Sequence, residues 1–252
     1  MDVLPIWIGF DQREAEAADV CAASIRRRAS KAVHLRMLDE RALRYNGWYD
    51  RPWRVEDGQK IDQRDGKPFS TDFAFSRFLV PSLQLYTGWA LFCDGDFLFT
   101  ADVAGLAALA DNRFAVQVVK HAHVPRETEK MDGQRQEKYH RKNWSSLILW
   151  NCSHPSNRFL TTHAVNYEPG QWLHAFGWLR DEEIGELPIT WNWLAGVSEP
   201  IDEIPCGIHY TTGGPWFENC QDVPYGKLWL NEKGSRRGLS GPLPSERLRS
   251  IA

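Results

Sequence analysis

The chain has 252 residues, 42% hydrophobic and 25% charged, with a net charge of −3. This is ordinary globular composition, enough for a sizeable core, and it lacks the strongly basic balance that nucleic-acid binding calls for. Five scattered cysteines show no paired metal spacing, no run approaches the roughly 20 apolar residues of a spanning helix, and the first residues lack the basic start and cleavage site of a signal peptide. The expectation is a cytoplasmic location with reduced thiols, no transmembrane segment and no nucleic-acid partner.

The first predicted strand runs from Pro5 to Phe10. Asp11 to Arg28 follows as a helix whose Ala15, Ala18, Val20, Cys21, Ala22 and Ile25 supply a buried stripe. A second strand over Ala32 to Leu38 completes a β-α-β opening of the kind found in nucleotide-binding α/β layers. Asn46 to Phe69 has no clean period and is predicted to be a long loop acting as a lid. Ser70 to Tyr86 is predicted helical, with Pro81 kinking or splitting it because proline lacks the N–H donor.

Trp89 to Thr100 then reads Trp-Ala-Leu-Phe-Cys-Asp-Gly-Asp-Phe-Leu-Phe-Thr. An apolar run that stops on Asp94 and Asp96 reads as a buried strand whose carboxyl end carries two carboxylates. Ligands collect at such ends in open α/β sheets, and residues i and i+2 of an extended segment point to one side. Both acids can therefore address one cation, with Gly95 allowing close approach to the backbone. Hard oxygen ligands suit Mg²⁺ or Mn²⁺.

Ala101 to Asn112 is predicted as a short helix and Phe114 to Val119 as a strand ending on Lys120, His121 and His123. Those two histidines have metal-ligating spacing on one face, and a half-exposed strand end accounts for them equally. Arg126 to Lys142 reads as a solvated charged arm, and Ser145 to Trp150 as an apolar strand. Trp178 to Trp193 holds an acidic cluster, a short strand and an aromatic patch. Ile208 to Phe217 is a strand end with His209 followed by a Gly-Gly-Pro turn. The tail after Asp222 reads as peripheral and partly mobile.

In this order the landmarks resemble the GT-A nucleotide-sugar glycosyltransferases, and among them the configuration-retaining, family 8-like branch. The resemblance spans roughly residues 4 to 217. It rests on the opening Ile-Trp-Ile-Gly-Phe-Asp, on Ser-Thr-Asp-Phe-Ala-Phe-Ser-Arg-Phe-Leu-Val-Pro, and on Asp94-Gly95-Asp96. Further pieces are Lys-Asn-Trp-Ser-Ser-Leu-Ile-Leu-Trp-Asn, Leu-Pro-Ile-Thr-Trp-Asn-Trp and His-Tyr-Thr-Thr-Gly-Gly-Pro-Trp. It implies an α/β fold of GT-A type, a single Rossmann-like domain over residues 1 to 217 with a mixed, mostly parallel sheet flanked by helices. Residues 218 to 252 are then a peripheral extension.

The resemblance further implies a nucleotide-sugar donor, a UDP-sugar by analogy, and a saccharide or other hydroxyl acceptor. It places Phe10 and Asp11 near the base, Arg77 toward the donor sugar or ribose, and a divalent cation on Asp94 and Asp96 with His209 as third ligand. An imidazole beside two carboxylates favours Mn²⁺ over Mg²⁺. Asp181 and Glu182 match the acidic position beside the reacting sugar. The family's late motif carries a lysine before Pro-Trp, where this chain has Gly213-Gly214-Pro215-Trp216 in a segment one residue shorter. Backbone amides of Gly213 and Gly214, or another cation such as Lys120 or Arg77, take that place on the diphosphate. The alternatives are a haloacid-dehalogenase-type phosphatase, where the first aspartate attacks phosphorus, and a non-catalytic carbohydrate-binding module.

Overall fold

The apolar heptapeptide Leu4–Phe10 forms β1, a strand between two others in the main sheet. A computed structural model of the chain describes residues 4–121, 141 and 143–236, so His123 and most of the Arg126 to Lys142 segment lie outside the described residues. Asp11 caps a 3₁₀ turn, Gln12–Glu14, and α1 (Ala15–Arg28) follows. The helix buries Ala17, Ala18, Val20, Cys21, Ala22 and Ile25, and its last turn carries Arg26, Arg27 and Arg28, where cations suit the negative end of the helix dipole. β2 (Val33–Asp39) pairs parallel with β1, and α2 (Glu40–Tyr45) follows it.

The segment predicted to be a loose lid is folded. β3 (Trp53–Glu56), β4 (Gln59–Asp62) and β5 (Pro68–Phe69) make a three-stranded antiparallel sheet. Asp57 and Gly58, both at positive φ (49° and 78°), join β3 to β4 in the two-residue Asp-Gly turn that right-handed hairpins favour. The sheet is fastened from beneath by Arg51. Its side chain and that of Asp62 are each 1% exposed, and they form two hydrogen bonds of 3.0 and 2.5 Å. Arg51 Nη1 also donates to the carbonyls of Val165 and Glu168. The segment is thus a folded sheet tied to the rest of the protein by buried contacts, where the sequence predicts a loose loop.

Pro81 lies in the first turn of α3 (Val80–Leu83), after a 3₁₀ turn over Ser76–Leu79. It splits the predicted helix by starting a new one, at a position that needs no N–H donor. β6 (Trp89–Cys93) is fully buried from Ala90 to Cys93, and β7 (Phe97–Phe99) resumes after the Asp-Gly-Asp turn. α4 (Val103–Ala107), β8 (Val116–Val118), β9 (Leu147–Asn151), α5 (Thr162–Tyr167), α6 (Gly170–His174) and β10 (Ile184–Glu186) come next. β11 (Trp193–Leu194), β12 (Gly207–His209) and α7 (Gly226–Arg236) complete the described chain.

The main sheet has the order β10-β8-β9-β6-β1-β2. The β1·β2, β1·β6 and β8·β10 pairs are parallel, and β9 runs antiparallel between β6 and β8. This is the mixed, mostly parallel sheet flanked by helices that the resemblance implies. A second sheet, β11-β12-β7, continues from the acidic turn. α7 is no loose appendage: Trp229 is fully buried, and Glu232, 5% exposed, takes hydrogen bonds from Arg27 (2.7 Å) and Arg28 (2.9 Å) of α1. The extension beyond residue 217 is therefore packed as far as it is described. No described helix is long and apolar enough to cross a membrane.

Replacing Arg51 with Met strands the Asp62 carboxylate in the interior. Breaking one partner of a buried pair costs about 3–5 kcal/mol. The expected outcome is a guanidinium unfolding midpoint lowered accordingly, whereas an unchanged midpoint means that the pair does not fasten the small sheet.

Candidate metal centre

β6 delivers Asp94 one residue past the sheet rim, and the chain turns at Gly95 into β7. A Cβ on Gly95 would lie 2.4 Å from the carbonyl oxygen of Gly9 and 3.2 Å from Cβ of Ala18. The glycine is therefore demanded by the packing of the turn on β1 and α1, where the sequence reading had it admit a ligand. β12 pairs antiparallel with β7, setting His209 opposite Phe97, and the amide of Tyr210 donates to the Asp96 carbonyl at 3.1 Å. One ligand atom from each of Asp94, Asp96 and His209 then lies within 4.8 Å of the others.

The orientation of His209 follows from a directed chain of hydrogen bonds. The Ser146 hydroxyl donates to the Asn143 carbonyl at 2.7 Å, so its oxygen accepts from Asn192 Nδ2 at 2.9 Å. Asn192 thereby turns its Oδ1 to His209 Nδ1, 3.1 Å away, which must donate. Neutral imidazole with its proton on Nδ1 bears a lone pair on Nε2, and that atom faces Asp96 Oδ1 at 3.3 Å. Two acceptors so placed repel unless a proton or a cation joins them. The donor set, two carboxylates and one imidazole with a fixed tautomer, fits a borderline-hard divalent ion. The ring also stacks on Phe97 at 4.5 Å with a 16° interplanar angle, which further restricts it. Asn192, buried within the Trp-Asn-Trp landmark, has no role in the sequence reading.

Arg77 is 5% exposed, and its Nη1 donates to Asp94 Oδ1 at 2.7 Å and to the Ser145 carbonyl at 2.9 Å. The sequence reading sends this guanidinium to the donor sugar or ribose; in the structure it holds a carboxylate of the metal cluster. Asp11, 2% exposed, accepts from the amide and side chain of Arg13 and from the Asp72 amide. Burial pushes its pKa up, but the Arg13 hydrogen bonds and charge more than offset this and hold the carboxyl below the usual carboxylate value. It ties the end of β1 to the segment after β5. Phe10 is half-buried beside it.

Gly213 adopts φ +119°, and its amide donates to the Tyr210 carbonyl at 2.8 Å. That amide closes a turn and is not presented to a phosphate. Gly214 has no room for a side chain, since a Cβ would lie 2.1 Å from the Trp216 ring. Beside them a small cleft is lined by Glu14, Asp96, Thr211, Thr212 and Gly213. Asp181 and Glu182 stand in a 3₁₀ turn with side chains 88% and 66% exposed, paired with Arg141 and Arg180. Lys120 lies 5.8 Å from the centre of the Trp144 ring. His121 is buried, and its carbonyl accepts from Trp144 Nε1. It does not join the three-residue cluster.

No protein-family model matches the chain. It is 44% identical over 231 residues to Protein CDI of Arabidopsis thaliana, covering 90% of this chain and 85% of that protein. Among solved structures it resembles the apo structure of the bifunctional glycosyltransferase WbbM, with a TM-score of 0.60, 15% identity and 92% of this chain covered. It also resembles the glycosyltransferase GlyE of Streptococcus pneumoniae TIGR4, with a TM-score of 0.58, 14% identity and 91% covered. The chain spans 50% of the length of the WbbM chain and 60% of that of GlyE. The galactosyltransferase LgtC in complex with donor and acceptor sugar analogs matches at a TM-score of 0.54 and 13% identity, over 93% of this chain and 99% of that one. The fold is that of GT-A glycosyltransferases.

Asn192→Ala frees the His209 tautomer and should lower Mn²⁺ affinity about 10–100-fold, the usual cost of losing such a supporting partner. Calorimetric titration of Mn²⁺, with thermal melting as a check on folding, measures this. Unchanged affinity in a folded variant means that the relay does not prepare a metal ligand.

Proposed function

The chain belongs to the family of Protein CDI and carries the GT-A fold, and from that premise we propose that it is a metal-dependent glycosyltransferase. It moves a sugar from a nucleotide-sugar, a UDP-sugar by resemblance, to a hydroxyl acceptor with retention of anomeric configuration. The observation that carries this reading is the meeting of Asp94, Asp96 and His209 within 4.8 Å at the carboxyl end of β6. Mn²⁺ fits the set best, with Mg²⁺ second, because imidazole joins the carboxylates.

Charge balance supports the assignment. Asp94 and Asp96 carry two negative charges and Arg77 one positive, so a divalent ion leaves the cluster at +1, attractive to a diphosphate. Held there, the ion supplies Lewis-acid charge to the oxygens of the departing nucleoside diphosphate. Arg77 fixes Asp94 from behind, and the Asn192 relay holds the Nδ1 side of His209 so that Nε2 faces Asp96. The nucleoside lies past the ends of β1 and β2, where ligands of α/β sheets collect, with Phe10 as an apolar wall and Asp11 securing the adjoining chain. Thr212 and Gly213 border the diphosphate on the side of the late turn. Asp181 serves through Arg141, and Glu182 is turned to Arg180, so neither is assigned to the reacting carbon itself.

UDP should bind with Mn²⁺ and lose at least about tenfold in affinity, 1.4 kcal/mol, with EDTA or in Asp94→Ala and Asp96→Ala. Equal calorimetric affinities throughout would remove the metal from the reaction. Steady hydrolysis of p-nitrophenyl phosphate would favour the phosphatase, and nucleotide binding without donor turnover the binding module. The anomer of the first-formed product, read by nuclear magnetic resonance, tests retention: a β-linked product from an α-linked donor contradicts it.

A further inference from the structure

Resting on that reading of the site, we propose that the acceptor is an acidic saccharide whose carboxylate binds between Lys120 and Arg141 beside Trp144. Both cations lie near the Trp144 ring, with Arg141 Cζ 5.3 Å and Lys120 Nζ 5.8 Å from its centre. Indole attracts a cation to its face, but two cations gathered on one ring repel each other. Arg141 is fixed in place by the Ala175 carbonyl at 2.6 Å and Asp181 at 2.5 Å, and its side chain is only 13% exposed. Lys120 pairs with no carboxylate among the described residues. Glu182 and Glu183 are turned to Arg180. Among the described residues, two cations and Asp181 leave one positive charge, which one carboxylate neutralises and a phosphate dianion would exceed.

Position assigns this charge to the acceptor. Cys93 pairs with Leu147, and Val118 with Ile148, so Asp94, Trp144 and Lys120 all project past one rim of the sheet. The Asp94 amide donates to the Ser146 carbonyl at 2.9 Å, which sets Trp144 close to the metal centre. β8, which ends two residues before Lys120, is two strands from β6 on the side away from β1, about 10 Å at the usual strand spacing. The nucleoside lies on the β1 side, so the pair faces the opposite half of the site, where the acceptor enters.

The protein is titrated calorimetrically with methyl glucuronide and methyl glucoside, which differ only at C6, both alone and saturated with UDP and Mn²⁺. The uronide should bind at least about tenfold tighter, as hydrogen bonds to charged groups allow. Lys120→Gln should reduce that preference to about threefold or less, Lys120→Arg should keep it, and UDP affinity should not change in either. Equal binding of the two glycosides, no binding of the uronide, or an undiminished preference in Lys120→Gln overturns the proposal. Loss of UDP affinity in Lys120→Gln puts this lysine on the diphosphate and overturns it too. A uronide preference in a protein that fails to bind UDP with Mn²⁺ would reject the donor reading while leaving the carboxylate site standing.

Discussion

The antiparallel pairing of β7 with β12 is the constraint on which the metal centre depends. Asp96 and His209 are far apart in the chain, and only the register that sets His209 opposite Phe97, closed by the Tyr210 amide on the Asp96 carbonyl, brings imidazole to carboxylate. A slip of one residue would turn His209 to the other face of its strand. The stacking of its ring on Phe97 holds the same register through the side chains.

Around that pairing the protein prepares charge before any ligand arrives. Arg77 is buried against Asp94, so one acid of the cluster is neutralised from the protein side and its position fixed. The Asn143–Ser146–Asn192 chain sets the direction of each proton up to His209. Both devices lean on the turn before β9, which supplies the Ser145 carbonyl to Arg77 and Asn143 and Ser146 to Asn192, and β9 lies next to β6 in the sheet. Preorganised groups of this kind cost no rearrangement when charge develops at the leaving group. Gly95 makes the arrangement possible, since any side chain there would meet the backbone of β1.

Much of this was legible in the sequence because it lay in local patterns. The apolar run ending at Asp94 announced a buried strand with acids at its tip, and the β-α-β opening placed it in an α/β sheet. What stayed hidden was set by distant partners. The buried Arg51–Asp62 pair turns Asn46 to Phe69 into a small sheet, although the Asp57-Gly58 turn between two short strands was a signal that could have been used. Asn192 reads as an ordinary polar residue between tryptophans until the fold sets it against His209. The contact of Arg77 with Asp94 is likewise visible only in the fold. Trp229 and Glu232 gave no periodicity strong enough to show that the C-terminal helix packs on α1.

On this reading Asp94, Asp96 and His209 hold one divalent ion. Crystals grown with UDP and Mn²⁺ test it through anomalous scattering at the manganese edge. A single strong peak is expected about 2.0–2.3 Å from an oxygen of each aspartate and from Nε2 of His209, the range of such bonds to carboxylate and imidazole. A peak held by other residues, or UDP bound in the cleft with no peak at these three, would contradict it.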